Sequence, residues 1–148
     1  GIDTSVFKRS NFDEKTALRN KLGYADDLFI MIYPAELTER KNQVLLFEVM
    51  EELVKRHSNV KLLLAGSGSM MDKYKNIVAS KGLNGFVEFL GYRNDVQDLL
   101  RASDVLLASS INEGLPINMI EGLASGLPVV ATATRGQVDL IKEGENAF

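Results

Sequence analysis

The segment that most restricts how this chain can fold is Leu28 to Ala35, which reads Leu-Phe-Ile-Met-Ile-Tyr-Pro-Ala. It has strand length and no polar alternation, the mark of a strand covered on both faces. Lys41 to Arg56 follows with Val44, Phe47, Met50, Leu53 and Val54 at helical spacing, and Val60 to Ala65 is a second apolar run. Strand, turn and helix then recur. Gly66-Ser67-Gly68 makes a tight turn, and Ser69-Met70-Met71-Asp72 is a capping-box pattern opening a helix that Gly82 closes. Phe86 to Leu90 is a third strand, and Asn94 is placed to cap a short helix bearing Val96, Leu99 and Leu100. Val105 to Ala108 is a fourth strand, Pro116 to Ser125 a helix ended by Gly126, and Pro128 to Thr132 a fifth strand. A loop over Gly1 to Phe7 and a polar helix over Asp13 to Leu22, ended by Gly23, read as a lead-in outside the core. The pattern predicts one α/β domain over residues 1–148, a Rossmann-like parallel sheet with helices on both faces. Ligands of such sheets bind beyond the carboxyl ends of the strands.

Composition removes several alternatives. A net charge of -3 and a pI near 5.2 argue against general nucleic-acid binding. The absence of cysteine excludes disulfides, thiolate metal sites and cysteine nucleophiles. His57, the single histidine, falls at a helix end in Lys55-Arg56-His57-Ser58 and reads as a solvated helix-end residue. No apolar run approaches the ~18 residues of a membrane span. No charged-then-apolar leader precedes Gly1, so a targeting signal is expected outside these residues.

The strand ends concentrate the chemistry. None offers a bare aspartate, which counts against a phospho-accepting receiver domain. Ser109 to Thr132 carries Glu113 in a loop and Glu121 inside the helix that Pro116 opens. Unpaired N–H groups at such a helix start suit a phosphate or sugar oxygen, and flanking carboxylates can accept hydrogen bonds from sugar hydroxyls. Lys41, one short loop after the first strand, can meet a phosphate as a point charge. Gly66-Ser67-Gly68 fits a dinucleotide fingerprint except that Met71 fills the third glycine position. It serves equally as a plain turn or as backbone approaching a ligand.

Taken together, these features resemble the retaining glycosyltransferases of the family 4 type, in the donor-binding carboxyl-terminal half of their GT-B fold. The resemblance runs from Gly1-Ile2-Asp3 with Phe7 through Lys41-Asn42, Gly66-Ser67-Gly68, Phe89-Leu90-Gly91-Tyr92 and Ser103-Asp104-Val105. It is strongest over Ser110 to Glu121 and Gly126 to Thr132, and it extends into Asp139-Leu140-Ile141 and Gly144-Glu145-Asn146. It implies that Glu113 contacts the donor sugar, with the stretch Gly114, Leu115, Pro116 and Ile117 near sugar and phosphate through the N–H groups of its non-proline residues, and Ser110 beside it. Glu121 would hold the ribose, Lys41 would neutralise the diphosphate leaving group near Gly66, Ser67 and Gly68, and Tyr92 and Arg93 would border the base. One position departs from the pattern: the family commonly places an arginine five residues before the lysine, and here Glu36 stands there. Either Arg40 or another cation substitutes, or Glu36 turns away.

The resemblance implies transfer of a sugar from a nucleotide-sugar to an acceptor hydroxyl with retention, without a metal or other cofactor. The partners expected are the nucleotide-sugar, an amino-terminal acceptor domain outside these residues, and a glycan or lipid-linked acceptor. The wording Glu-Leu-Thr-Glu-Arg-Lys-Asn-Gln resembles bacterial enzymes of surface polysaccharide synthesis, which places the protein in the cytoplasm, at the inner face of the membrane if the other domain associates with it. The alternatives are a non-catalytic nucleotide-binding module and a GT-B sugar-nucleotide epimerase or phosphorylase. Without the second domain, the 148 residues are expected to be inactive in transfer.

Overall fold

The structure, a computed structural model, describes residues 3, 5–111 and 117–132. Five helices, α1 (Phe12–Leu22), α2 (Gln43–Leu53), α3 (Met71–Ser80), α4 (Val96–Ala102) and α5 (Ile117–Ala124), alternate with five strands. The strands are β1 (Phe29–Pro34), β2 (Val60–Ala65), β3 (Val87–Gly91), β4 (Val105–Ala108) and β5 (Val129–Ala131). All pairings are parallel, in the order β3-β2-β1-β4-β5. The apolar runs become strands because nothing on them needs water: Ile30, Ile32, Leu62, Leu63, Leu64 and Leu106 are fully buried.

The strand order starts in the middle, steps to one edge, then returns across β1 to β4. Right-handed crossovers put α2 and α3 on one face and α4 and α5 on the other. Packing agrees: the Phe47 ring of α2 meets Tyr74 of α3 edge-on at 5.5 Å. Gly122 of α5 lies so close to Leu106 of β4 that a Cβ there would come within 2.6 Å of its side chain. The reversal of order between β1 and β4 is where ligand crevices of such sheets open.

Three local expectations are corrected. The helix expected from Lys41 to Arg56 is a 3₁₀ turn, Glu39–Lys41, followed by α2 from Gln43 to Leu53. Asn42 between them takes a left-handed conformation, φ 53°, which asparagine tolerates better than most residues. Neither expected amino-terminal cap forms: Met70 precedes α3 and Asp95 precedes α4, with no side-chain cap bond at either. The Met70 N–H is instead fixed on the Leu37 carbonyl at 3.1 Å, and the Asp95 carboxylate is taken by Arg93.

The lead-in is also tied to the body more firmly than its polarity suggests. Arg19 of α1 is buried and donates to the carbonyls of Ala102, Asp26 and Leu28 at 2.8–2.9 Å and to Asp104 Oδ2 at 2.8 Å. Asp104 also accepts from Lys15 and from the Ile30 N–H. Burial alone would raise the Asp104 carboxyl, but these donors hold it below the usual carboxylate range. Phe7 packs against the core rather than standing outside it.

Candidate functional site

At the carboxyl ends of β1, β2 and β3 a cleft of about 640 Å³ opens. Its floor is Pro34-Ala35-Glu36 and Ala65-Gly66-Ser67-Gly68, one side is Tyr92 to Asn94 with Val96 and Gln97, and Phe7 and Glu121 complete it. Of the residues singled out from sequence, Gly66, Ser67, Gly68, Tyr92, Arg93 and Glu121 therefore meet in one place. Asn118, one helical turn before Glu121, donates to the Pro34 carbonyl at 3.2 Å and fixes α5 across the β1–β4 switch point.

The glycine turn answers a question the sequence left balanced. A Cβ on Gly66 would lie 2.1 Å from the Ala35 carbonyl oxygen, and one on Gly68 would lie 2.3 Å from that of Leu37. Neither glycine has the positive φ of a turn residue. They are glycines because the β1–α2 loop lies directly against them, bonded through Leu37 N to Ser67 O at 2.9 Å.

Electrostatically the cleft is divided. Glu121 is half-buried, its carboxylate has no hydrogen bond among the described residues, and burial pushes its carboxyl above the usual range. An unsatisfied, partly desolvated acceptor in a cleft is suited to hydroxyl donors of a ligand. Glu36 is exposed and lines the cleft. Arg93 is held by Asp95 through two bonds of 2.8 and 2.7 Å, which lowers the Asp95 carboxyl. Tyr92 is 83% exposed, an open ring face at the rim.

Three other candidates are placed as follows. Lys41 sits in the 3₁₀ turn that follows the β1 end of the cleft, its carbonyl bonded by Ser109 Oγ at 2.7 Å. Ser110 is buried, its hydroxyl paired with Tyr33 Oη at 2.8 Å and its carbonyl accepting from Thr132 Oγ1 at 2.9 Å, so it braces the ends of β1, β4 and β5. Ile117 is exposed at the start of α5 and also off the cleft wall. Glu113, Gly114, Leu115 and Pro116 fall outside the described residues. Among the described residues no cluster of His, Cys, Asp or Glu has the arrangement to hold a metal ion.

Sequence reasoning missed Phe7, Asn118 and Gln97 as parts of the site and Gln43 as its support. Gln43 is fully buried, and its Nε2 donates to the Glu36 carbonyl at 2.9 Å. Its position one residue past a lysine loop carried no signal of burial; only the left-handed Asn42 turns it inward.

This arrangement recurs in known proteins. The chain is 38% identical over its whole length to EpsD of Bacillus subtilis, which carries a glycosyltransferase designation, and covers 39% of that protein. It is 33% identical over 130 residues, 88% of its length, to the lipopolysaccharide core biosynthesis glycosyltransferase LpsE of Rhizobium meliloti, covering 37% of it. Among solved structures, Anabaena HepE in complex with UDP and glucose superposes on the whole chain with a TM-score of 0.87 at 27% identity, over 41% of HepE. The chain thus spans about two fifths of the length of these relatives. Residues 14–148 match the family of glycosyl transferases group 1, and the chain belongs to that family.

Proposed function

We propose that the cleft binds a nucleotide-sugar and that the whole protein transfers its sugar, with retention, to an acceptor hydroxyl during bacterial surface polysaccharide or glycan synthesis. The observation that carries this reading is Glu121: a half-buried carboxylate with an open acceptor face, in the same cleft as the glycine turn and Tyr92. Glu121 accepts from the ribose hydroxyls, and Tyr92 with Arg93 borders the base. The solved HepE complex with UDP-glucose supports a uridine diphosphate donor as the first to try.

Bond breaking leaves growing negative charge on the diphosphate, and prepositioned donors lower that barrier, each worth on the order of 3 kcal/mol. Lys41 and the N–H groups at the start of α5 supply them, with Glu113 on the sugar. The described cleft wall itself carries the carboxylates of Glu36 and Glu121 beside the paired Arg93, so the neutralising charge comes from the lysine loop and not from the β1 end. No metal or other cofactor takes part. The acceptor, a glycan or a lipid-linked glycan, binds to a second domain, which also brings any association with the cytoplasmic face of the membrane.

Calorimetric titration with UDP and with UDP-glucose tests the site. Glu121→Ala should weaken UDP roughly ten- to hundredfold, the value of a hydrogen bond to a charged group. Unchanged affinity in both Glu121→Ala and Lys41→Ala would sink the assignment.

A further inference from the structure

The side of the cleft that follows β3 is built around one ion pair. Gly91 ends the strand with φ 69° and pairs with Gly66 in an isolated bridge, which sets Tyr92, Arg93 and Asn94 beside the glycine turn. Arg93 is the one cation among the described residues lining the cleft. Its Nε and Nη2 donate to the two oxygens of Asp95 at 2.8 and 2.7 Å. Asp95 stands at the cap position of α4, where an aspartate ordinarily accepts from N–H groups of the first turn, yet it makes no cap bond. The helix forgoes its cap in favour of Arg93, and a local rule broken at a cleft wall points to a functional demand. The pairing changes what the guanidinium can recognise. The carboxylate balances its charge, so it is a weak counter-ion for a diphosphate, while the N–H donors not bonded to Asp95 keep a fixed plane.

We infer that Asp95 is a positioning residue: it holds Arg93 as a charge-balanced donor edge that reads carbonyl oxygen on the base of the nucleotide, so that uracil, which has carbonyls, is preferred over adenine, which has none. This rests on the reading of the cleft as a nucleotide-sugar site. A guanidinium only donates, and the amino group on the edge of adenine is a donor as well. Tyr92, exposed beside Arg93, offers its ring to the face of the same base. Asp95 acts on the ligand through Arg93, and groups that act through one another are non-additive when removed together.

The test is calorimetric titration of the 148-residue chain with UDP and with ADP, which share ribose and diphosphate and differ in the base. The parent should bind UDP about tenfold more tightly than ADP, and Arg93→Ala should remove that preference by weakening UDP alone. Asp95→Asn keeps a side chain that caps helices as well as aspartate but presents a single acceptor oxygen to the guanidinium. It should weaken UDP about fivefold, with ADP affinity and melting temperature unchanged. Adding Asp95→Asn to Arg93→Ala should cost nothing further. Equal loss of UDP and ADP in Arg93→Ala puts the guanidinium on the diphosphate and overturns the inference. A parent without preference, an Asp95→Asn chain that keeps the parent's UDP affinity or melts lower, and losses that multiply in the double variant each overturn it too. All of these leave the site standing as long as Glu121→Ala weakens both nucleotides. Glu121→Ala and Lys41→Ala both without effect on either nucleotide overturn the site and this inference with it.

Discussion

Two carboxylates in one cleft make opposite demands on a ligand. Burial raises the Glu121 carboxyl above its ordinary value of 4.5, and its ionised form, with both oxygens charged acceptors, bonds hydroxyls more strongly than the protonated form. UDP affinity should therefore fall as pH drops through that raised value, with the dependence absent in Glu121→Gln; titrations at several pH values check this. Glu36 is exposed in the same cleft, where the proposed diphosphate would meet its charge. Replacing it by arginine should tighten UDP roughly two- to fivefold, the scale of an exposed, screened pair. Weaker binding in Glu36→Arg would mean that Glu36 holds a hydroxyl instead. That two carboxylates line the wall was legible from the pattern in part: Glu121 from its helix, Glu36 only as a departure from the family's arginine.

Elements are held in this protein by backbone fit and by one buried ion cluster. Gly66→Ala or Gly68→Ala drives a Cβ into the Ala35 or Leu37 carbonyl, a clash that rigid backbone relieves at about 1–3 kcal/mol. Gly85→Ala meets nothing within 4 Å and has no positive φ, so its stability should stay within about 0.5 kcal/mol of the parent. Urea unfolding of the three variants decides this. Helix α1 hangs on Arg19 and Asp104, and Asp104→Ala leaves the buried guanidinium without its counter-ion, a loss of about 3 kcal/mol. Because the folded Asp104 carboxyl lies below its ordinary 3.8, its contribution is complete above that value and disappears as pH falls through the lower folded value. Acid unfolding should thus begin at higher pH in Asp104→Ala. Helix boundaries near Gly23, Gly82 and Gly126 could be read in advance because a positive φ favours glycine; the missing caps of α3 and α4 could not, since the Leu37 carbonyl holds the Met70 N–H and Asp95, not Asn94, stands before α4.

At the scale of the molecule, the chain is a parallel sheet with a cleft at its carboxyl ends, and the proposed function takes the opposite wall from a second domain. The relatives are about two and a half times as long, and in the proposed function transfer to an acceptor needs both walls. The 148-residue chain should raise its melting temperature with saturating UDP, since a ligand of the native state stabilises it. Under the proposed two-domain reading it should release no sugar to an acceptor by itself. Turnover by the chain alone would overturn that division of labour. The sheet and its parallel sense follow from the sequence by itself, because apolar runs at strand length and helical spacing leave one way to cover both faces. Tertiary structure alone decided that the glycines of the turn answer to Ala35 and Leu37, that Ser110 braces strands, and that Ser109 takes the carbonyl of Lys41. Those roles depend on which distant backbone comes within hydrogen-bonding reach, and no local pattern of residues encodes such a distance.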